Sequence, residues 1–109
     1  MVFGADVTHP SPVDLSMTES LAAVTGSLDK EACFYAARLY AQKTPKCQAY
    51  EMIHDLDKMV VNLLHEHFQK NRTFPKKIVF YRDGVSDGQF PIVNFLVSFI
   101  NFQSKFNFF

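Results

Sequence analysis

Hydrophobic positions along this chain form short runs that predict four strands. Apolar runs of about four to nine residues, bounded by turn-forming residues, are typical of buried strands. Such runs occupy residues 2–6, 21–28, 34–42 and 77–81. The second and third runs are separated only by the polar residues 29–31, which predict a hairpin connection. The first three strands are therefore expected to form an antiparallel meander.

A different spacing predicts one long amphipathic helix at residues 49–69. Apolar side chains recur there at i, i+3, i+4 and i+7, which places them on one helical face. A second helix is predicted to begin at residues 88–90, after the fourth strand. The face of the long helix is formed by Met52, Ile53, Leu56, Met59, Val60, Leu63, Leu64 and Phe68.

The predicted order of elements, βββαβα, indicates an α/β fold. A crossover helix before the fourth strand allows that strand to lie parallel to the first. This order fits a partial ribonuclease-H-like fold, in which a mixed sheet carries flanking helices. The length of 109 residues, of which 48% are hydrophobic, suits a single domain with one core.

Charge and cysteine usage narrow the class of protein. Eleven basic residues balance eleven acidic ones, so the chain lacks the strongly basic surface of a self-sufficient nucleic-acid binder. Cys33 and Cys47 form no CxxC pair, which indicates two reduced, buried or half-buried thiols in a cytoplasmic or nuclear protein. The start of the chain has no secretory pattern, and residues before the tail contain no apolar stretch of membrane-spanning length. We therefore expect no membrane association.

Two aspartates are the strongest candidates for chemistry. Asp6 and Asp83 each stand where a predicted strand stops, and ligands of open α/β sheets bind at the carboxyl ends of strands. Neighbouring strands lie roughly 4.8 Å apart, so adjacent strands would let the two carboxylates share divalent cations. Such an arrangement is the basis of two-metal phosphodiester hydrolysis.

Other polar residues near these aspartates leave two interpretations open. Glu51, at the first turn of the predicted helix, is either a third site acid or an acid favoured by the helix dipole. Arg82 either has a structural role, in an ion pair or in steadying the strand end, or approaches a phosphate. The side chains of His54, His65 and His67 are expected to be solvated or partly packed at the surface rather than bound to metal.

Three segments closely resemble the Piwi domain of eukaryotic Argonaute proteins. They read GADVTHP at residues 4–10, EMIHDL at 51–56 and YRDGVSDGQF at 81–90. The last is ten residues long and of rare composition, and the resemblance covers about residues 2–93. It implies an RNase-H-like domain that binds a small guide RNA paired to a target RNA. In members that cleave RNA, it also implies endoribonuclease activity.

The resemblance also implies site residues and cofactors. The family's catalytic aspartates are matched by Asp6 and Asp83, and its glutamate finger by Glu51. Asp6 and Asp83 would bind two Mg²⁺ or Mn²⁺ ions, while Glu51 would order their hydration shell. Some family members also receive tryptophan-containing silencing proteins near the end of the long helix. The corresponding candidates here are Leu64, Phe68 and Phe74, for which packing in the core is the alternative.

The chain departs from the family pattern in two places. Members that cleave RNA add a fourth residue, His or Asp, far beyond the second aspartate, and no such residue is present here. We therefore expect residues 1–93 to form the N-terminal part of a Piwi domain that is inactive alone. Residues 94–109 are atypical, rich in Phe and Asn with Lys105 as their one charge, and suggest an incomplete or mis-spliced gene model. A non-catalytic guide-RNA or partner-binding silencing module, or a nonfunctional truncated product, are the alternative functions.

Overall fold

The computed structural model describes residues 1–10, 19–43 and 52–83, which form four strands and a helix. The predicted second helix, Cys47 and the tail at 94–109 lie outside these ranges. The order of the described elements agrees with the predicted βββαβ. They are β1 (Val2–Thr8), β2 (Glu19–Ser27), β3 (Tyr35–Lys43), α1 (Leu56–Asn71) and β4 (Val79–Arg82).

The four strands form one mixed sheet in the order β3-β2-β1-β4. β1 pairs with β2, and β2 with β3, in antiparallel registers, as the predicted meander requires. β4 pairs with β1 in a parallel register that runs from Val2 opposite Val79 to Ala5 opposite Arg82. Parallel neighbours need a crossover connection, which α1 supplies between β3 and β4. The predicted mixed sheet, with its fourth strand parallel to the first, is confirmed.

Helix α1 covers one face of this sheet and forms the core with it. Alternate residues of a strand point to the same face, so every second side chain of β1 and β2 faces the core, where α1 packs against β2 and β3. The opposite face carries exposed apolar side chains, including Leu39 and Tyr81. The buried apolar residues are Phe3, Ala5, Val7, Ala22, Val24, Ile53, Leu56, Met59, Val60, Leu63, Leu64 and Ile78.

The helix begins at Leu56, so the predicted start at residue 49 is wrong. Asp55, the residue before it, has a left-handed backbone with a φ of 56°, and an α-helix cannot pass through that conformation. Upstream, the buried side chain of Gln42 in β3 donates to the carbonyl of Met52 at 2.7 Å and accepts the N–H of His54 at 3.0 Å. These two bonds hold the segment against the sheet in a non-helical path.

The helix start was predicted too early because the segment before α1 also contributes apolar side chains to the core. Ile53 is 4% exposed although it is not helical. Glu51 therefore does not lie in the first turn of α1, and the residue itself lies outside the described ranges. The interpretation of Glu51 as an acid favoured by the dipole of this helix loses its structural basis, because the dipole effect fades beyond the first turn.

β1 also extends further than predicted. It continues to Thr8, because Val7 and Thr8 pair with Ala22 and Leu21 of β2. Asp6 thus lies inside β1 rather than at its end. The neighbouring β4 is shorter and ends at Arg82, so Asp6 marks the point where β1 loses its parallel partner.

The connection between β2 and β3 is a turn organised by Asp29. Its carboxylate accepts the N–H groups of Cys33, at 3.0 and 3.2 Å, and of Phe34, at 2.9 Å. The backbone of Ala32 is left-handed, with a φ of 55°. The predicted turn is confirmed, but the Cys33 thiol within it is exposed rather than buried or half-buried as expected, and it forms no disulfide. Within the described residues, no helix is long and apolar enough to cross a membrane.

Candidate carboxylate site at the ends of β1 and β4

The two candidate aspartates lie beside each other, Asp6 in β1 and Asp83 one residue past the end of the parallel strand β4. Ala5 stands opposite Arg82, so Asp6 and Asp83 are the next residues along each strand. The N–H of Asp83 donates to the carbonyl of Ala5 at 3.3 Å, which continues the contact between the strands past the last residue of β4. The adjacency predicted from the two strand patterns is confirmed.

Both aspartates line one depression of about 260 Å³. It lies on the sheet face that α1 does not cover. Asp6 shares that face with Gly4, which pairs with Thr25 of β2 and Tyr81 of β4. The depression therefore follows from the registers of three strands, β2, β1 and β4. Its lining residues are Gly4, Ala5, Asp6, Ala23, Thr25, Tyr81 and Asp83.

Small residues form the floor of the depression beside the carboxylates. A Cβ atom added to Gly4 would lie 3.2 Å from the hydroxyl oxygen of Thr25, which is tighter than ordinary contact. That hydroxyl donates to the Gly4 carbonyl at 3.4 Å. Ala23, opposite Asp6, adds only a methyl group. The absence of bulk at these positions leaves room for a ligand next to the acids.

The carboxylate of Asp6 is fixed through one of its two oxygens. Oδ1 accepts the N–H of Val7 at 2.8 Å and lies 3.7 Å from Nη1 of Arg82. Oδ2 makes no hydrogen bond to any residue in the described ranges. Because 58% of the side chain is exposed, this oxygen is accessible to a cation or to water.

Arg82 lies beneath the two acids with only 7% of its side chain exposed. Its Nη1 donates to the carbonyl of Ala5 at 3.3 Å and to the carbonyl of Asp83. The same nitrogen forms the ion pair with Asp6 described above. Of the two roles left open by the sequence, the structure favours the ion pair, since a guanidinium this covered offers little surface to a phosphate.

The predicted third acid is not part of the described site. Glu51 lies outside the described residues. In the ranges that the structure does describe, no group of three or more His, Cys, Asp or Glu side chains could hold a metal ion. The two aspartates supply the hard oxygen donors that Mg²⁺ or Mn²⁺ prefers, so they fit part of a magnesium coordination shell. The remaining donors must come from water, substrate or other residues.

His54 and His65 have the expected surface positions, whereas His67 is buried, so the surface position expected for it is wrong. His54 and His65 are exposed, although the backbone N–H of His54 is bound by Gln42. His67 is 6% exposed, and its Nδ1 lies 3.2 Å from the carbonyl of Ser27. His67 thus joins α1 to β2 on the covered face of the sheet.

The three residues considered for a peptide pocket have different environments. Leu64 is 3% exposed and belongs to the core, which confirms the packing alternative for this residue. Phe68 stacks on Phe74, with ring centroids 4.6 Å apart, so each ring fills space beside the other. Phe74 keeps 42% of its surface exposed at the end of α1.

Gln42 is the structurally important polar residue that the sequence analysis missed. Gln42 is 5% exposed, and both the nitrogen and the oxygen of its side-chain amide bind backbone groups shortly after Glu51, at Met52 and His54. A weak signal was present, because position 42 falls on the same face of β3 as Arg38, which contacts α1 through Glu66. A buried polar side chain on the covered face of a strand needs a hydrogen-bond partner.

Comparison with known proteins decides the family. The family model of the Piwi domain matches residues 1–98 of this chain. The chain belongs to the Piwi domain family. Among curated proteins, the Piwi segment is 40% identical over 93 residues to "Protein argonaute 2" of Oryza sativa subsp. japonica, a match that covers 85% of the chain. It is 44% identical over 88 residues to "Protein argonaute 7" of Arabidopsis thaliana, covering 80% of the chain.

A solved structure supports the same assignment of the Piwi segment. The Argonaute of Kluyveromyces polysporus, crystallised with a guide RNA, matches 92% of this chain with a TM-score of 0.73 and 30% identity. The match covers 11% of that Argonaute chain. The present chain likewise spans only 8% of the length of each of the two plant argonautes. The Piwi segment thus corresponds to a small part of its relatives.

Proposed function

We propose that this chain is part of a small-RNA-guided silencing protein that binds a guide RNA and its target RNA. In the complete protein, the Piwi segment cleaves the target by two-metal phosphodiester hydrolysis. The observation that carries this proposal is the placement of Asp6 and Asp83 on adjacent parallel strands, lining one depression. Family membership supplies the RNA-guided context, because the yeast relative was solved with a guide RNA.

The two aspartates would perform the metal-binding part of the reaction. Asp6 would contribute Oδ2, since Oδ1 is occupied by the N–H of Val7 and by Arg82. Asp83 would contribute its carboxylate from the neighbouring strand. When bound, a pair of Mg²⁺ ions supplies an activated water and stabilises the leaving 3′ oxygen. Glu51, which the resemblance matches to the glutamate finger, would order the water around those ions.

The floor of the depression would admit the RNA backbone. Gly4 and Ala23 add little volume beside the acids, so a phosphate could approach the carboxylates through bound cations. The exposed Tyr81 ring, 66% accessible, stands at the same depression and could pack against a ribose or base. A silencing protein of this family would act in the cytoplasm or nucleus.

A second candidate function is a silencing module without catalysis. The described part of the site contributes two carboxylates, whereas a two-metal site needs several more oxygen donors. In that case the complete protein would bind guide RNA and recruit partner proteins, including tryptophan-containing ones. The Phe68 and Phe74 stack at the end of α1 is the feature that such a partner could contact.

Cleavage assays on a full-length protein that contains this chain distinguish the two candidates. We expect Asp6→Asn and Asp83→Asn each to lower magnesium-dependent cleavage of a matched target by more than about 100-fold, because each removes a carboxylate ligand. Guide binding, measured on the same variants, should not change. Asp57→Asn, an exposed acid on α1, is the matched control and should cleave normally.

The possible outcomes separate the two functions. Normal cleavage by Asp6→Asn or Asp83→Asn would refute the metal site. Tight guide binding without cleavage by the unsubstituted protein would favour the non-catalytic module. The isolated 109-residue chain should not cleave RNA, because its zero net charge provides little attraction for the phosphate backbone.

Glu51 needs its own test because its position is set only by the family resemblance. If it belongs to the metal site, Glu51→Gln should reduce cleavage or magnesium affinity by about 10- to 100-fold. The assay is the cleavage rate of the full-length protein against magnesium concentration. An unchanged rate and magnesium midpoint would show that the charge of Glu51 has no part in the chemistry.

A further inference from the structure

Arg82 is a buried cation next to the two acids of the candidate site. Only 7% of its side chain is exposed, against 58% for the side chain of Asp6. Removing a guanidinium from water is costly unless its donors are matched by acceptors and its charge by an opposite charge. What Arg82 contacts therefore indicates why the fold retains a charged residue at this position.

One guanidinium nitrogen of Arg82 contacts both strands beside the two acids. Nη1 donates to the carbonyl of Ala5 in β1 and to the carbonyl of Asp83 after β4, and lies 3.7 Å from Oδ1 of Asp6. The contact with Asp83 is made beyond the last ladder pair of the two strands, at Ala5 and Arg82. The N–H of Asp83 also donates to the Ala5 carbonyl here, so Arg82 adds a side-chain link to a backbone link between the strand ends.

We propose that Arg82 is a positioning residue for the two carboxylates. Its guanidinium ties the end of β4 to β1 and draws Oδ1 of Asp6 to one side, which leaves Oδ2 for a cation. Its positive charge also offsets the repulsion between two neighbouring carboxylates, so the pair stays together before any metal binds. The identity of the cation rests on the proposed function, whereas the positioning of the strand ends does not.

The geometry distinguishes this role from two others. A residue that bound RNA phosphate would need an exposed guanidinium, and that of Arg82 is covered. A residue that merely neutralised the site would compete with the metal, so its removal would tighten divalent binding. A positioning residue has the opposite effect, because its loss lets the acids move apart. Lysine can keep the charge but cannot reproduce the planar set of donors.

The first experiment needs no metal. In the 109-residue chain, amide hydrogen exchange is followed by NMR for Asp83, whose N–H binds Ala5, and for Val7, whose N–H binds Asp6. We expect Arg82→Met to speed exchange at these two amides by about tenfold or more relative to the amides of β2. Arg82→Lys should give an intermediate result, and is used alone if Arg82→Met does not fold.

Arg38→Met is the matched control. Arg38 also pairs with a carboxylate, that of Glu66 at 2.7 Å, but on the far side of the sheet from the candidate site. Its substitution should leave the Asp83 and Val7 amides unchanged. If Arg82→Met changed all amides by the same factor, or left those two unchanged, Arg82 would contribute only to general stability and the proposal would be wrong.

The second experiment measures Mn²⁺ binding to the same variants by calorimetry. We expect Arg82→Met to weaken binding by about tenfold, with Arg82→Lys between it and the unsubstituted chain. Equal or tighter binding would overturn the proposal in favour of a neutralising or structural role. If the unsubstituted chain bound no Mn²⁺, the metal site of the proposed function would fail in this chain, and the exchange experiment would still decide the role of Arg82.

Discussion

Replacing Gln42 should show how the segment before α1 is held in place. The side chain is 5% exposed, and it makes two hydrogen bonds to backbone groups ten and twelve residues away. Gln42→Ala removes both bonds. A typical hydrogen bond contributes about 0.5 to 1.5 kcal/mol net, so the pair should be worth about 1 to 3 kcal/mol of unfolding free energy.

Two further variants separate the contributions of the amide. Gln42→Glu keeps an oxygen acceptor for the N–H of His54 but brings a carboxylate against the carbonyl of Met52, which currently accepts a bond of 2.7 Å. We expect it to be at least as destabilising as Gln42→Ala at neutral pH, because a buried charge would face an acceptor. Gln69→Ala, at an exposed position on α1, is the matched control and should change stability by less than about 0.5 kcal/mol.

The assay is urea unfolding of the 109-residue chain, followed by circular dichroism. The dependence of the unfolding free energy on urea concentration must be the same for all variants, so that their midpoints can be compared. A loss below about 0.5 kcal/mol for Gln42→Ala would refute the reasoning, because it would mean that water replaces both bonds without cost. In the full-length protein, Gln42→Ala should raise the magnesium concentration needed for half-maximal cleavage. Gln42 holds residues 52–54, and these directly follow Glu51.

Two other predictions concern the core and the hairpin. Leu63 is fully buried, so Leu63→Ala should cost about 2 to 5 kcal/mol in urea unfolding, while Val61→Ala on the exposed side of α1 should cost far less. The bond from the Phe34 N–H, with a further one from Cys33, lowers the pKa of Asp29 from its ordinary value of 3.8. A lowered carboxyl pKa stabilises the fold above the unfolded value and loses that effect as pH falls through the folded value. The stability difference between the chain and Asp29→Asn should therefore shrink below about pH 4, and a constant difference would contradict this.

Much of the fold is encoded locally in the sequence. Apolar runs and the 3.6-residue period predicted four strands and one long helix, because alternation and helical spacing report which side chains can share a face. The crossover helix before the fourth strand then made a parallel β1 and β4 the expected pairing. With that pairing, the adjacency of Asp6 and Asp83 also followed from sequence.

The remaining features depended on contacts between residues distant along the chain. The helix starts at Leu56 because Gln42, on another element, holds the preceding segment. Asp6 lies within β1 because β2 continues to pair past it, whereas β4 stops beside it. The sequence left a structural ion pair or a phosphate contact open for Arg82, and only the folded sheet brings Ala5 within its reach, 77 residues away. Local periodicity carries no information about such partners, so hydrogen bonds and ion pairs across the sheet were decided by the tertiary structure alone.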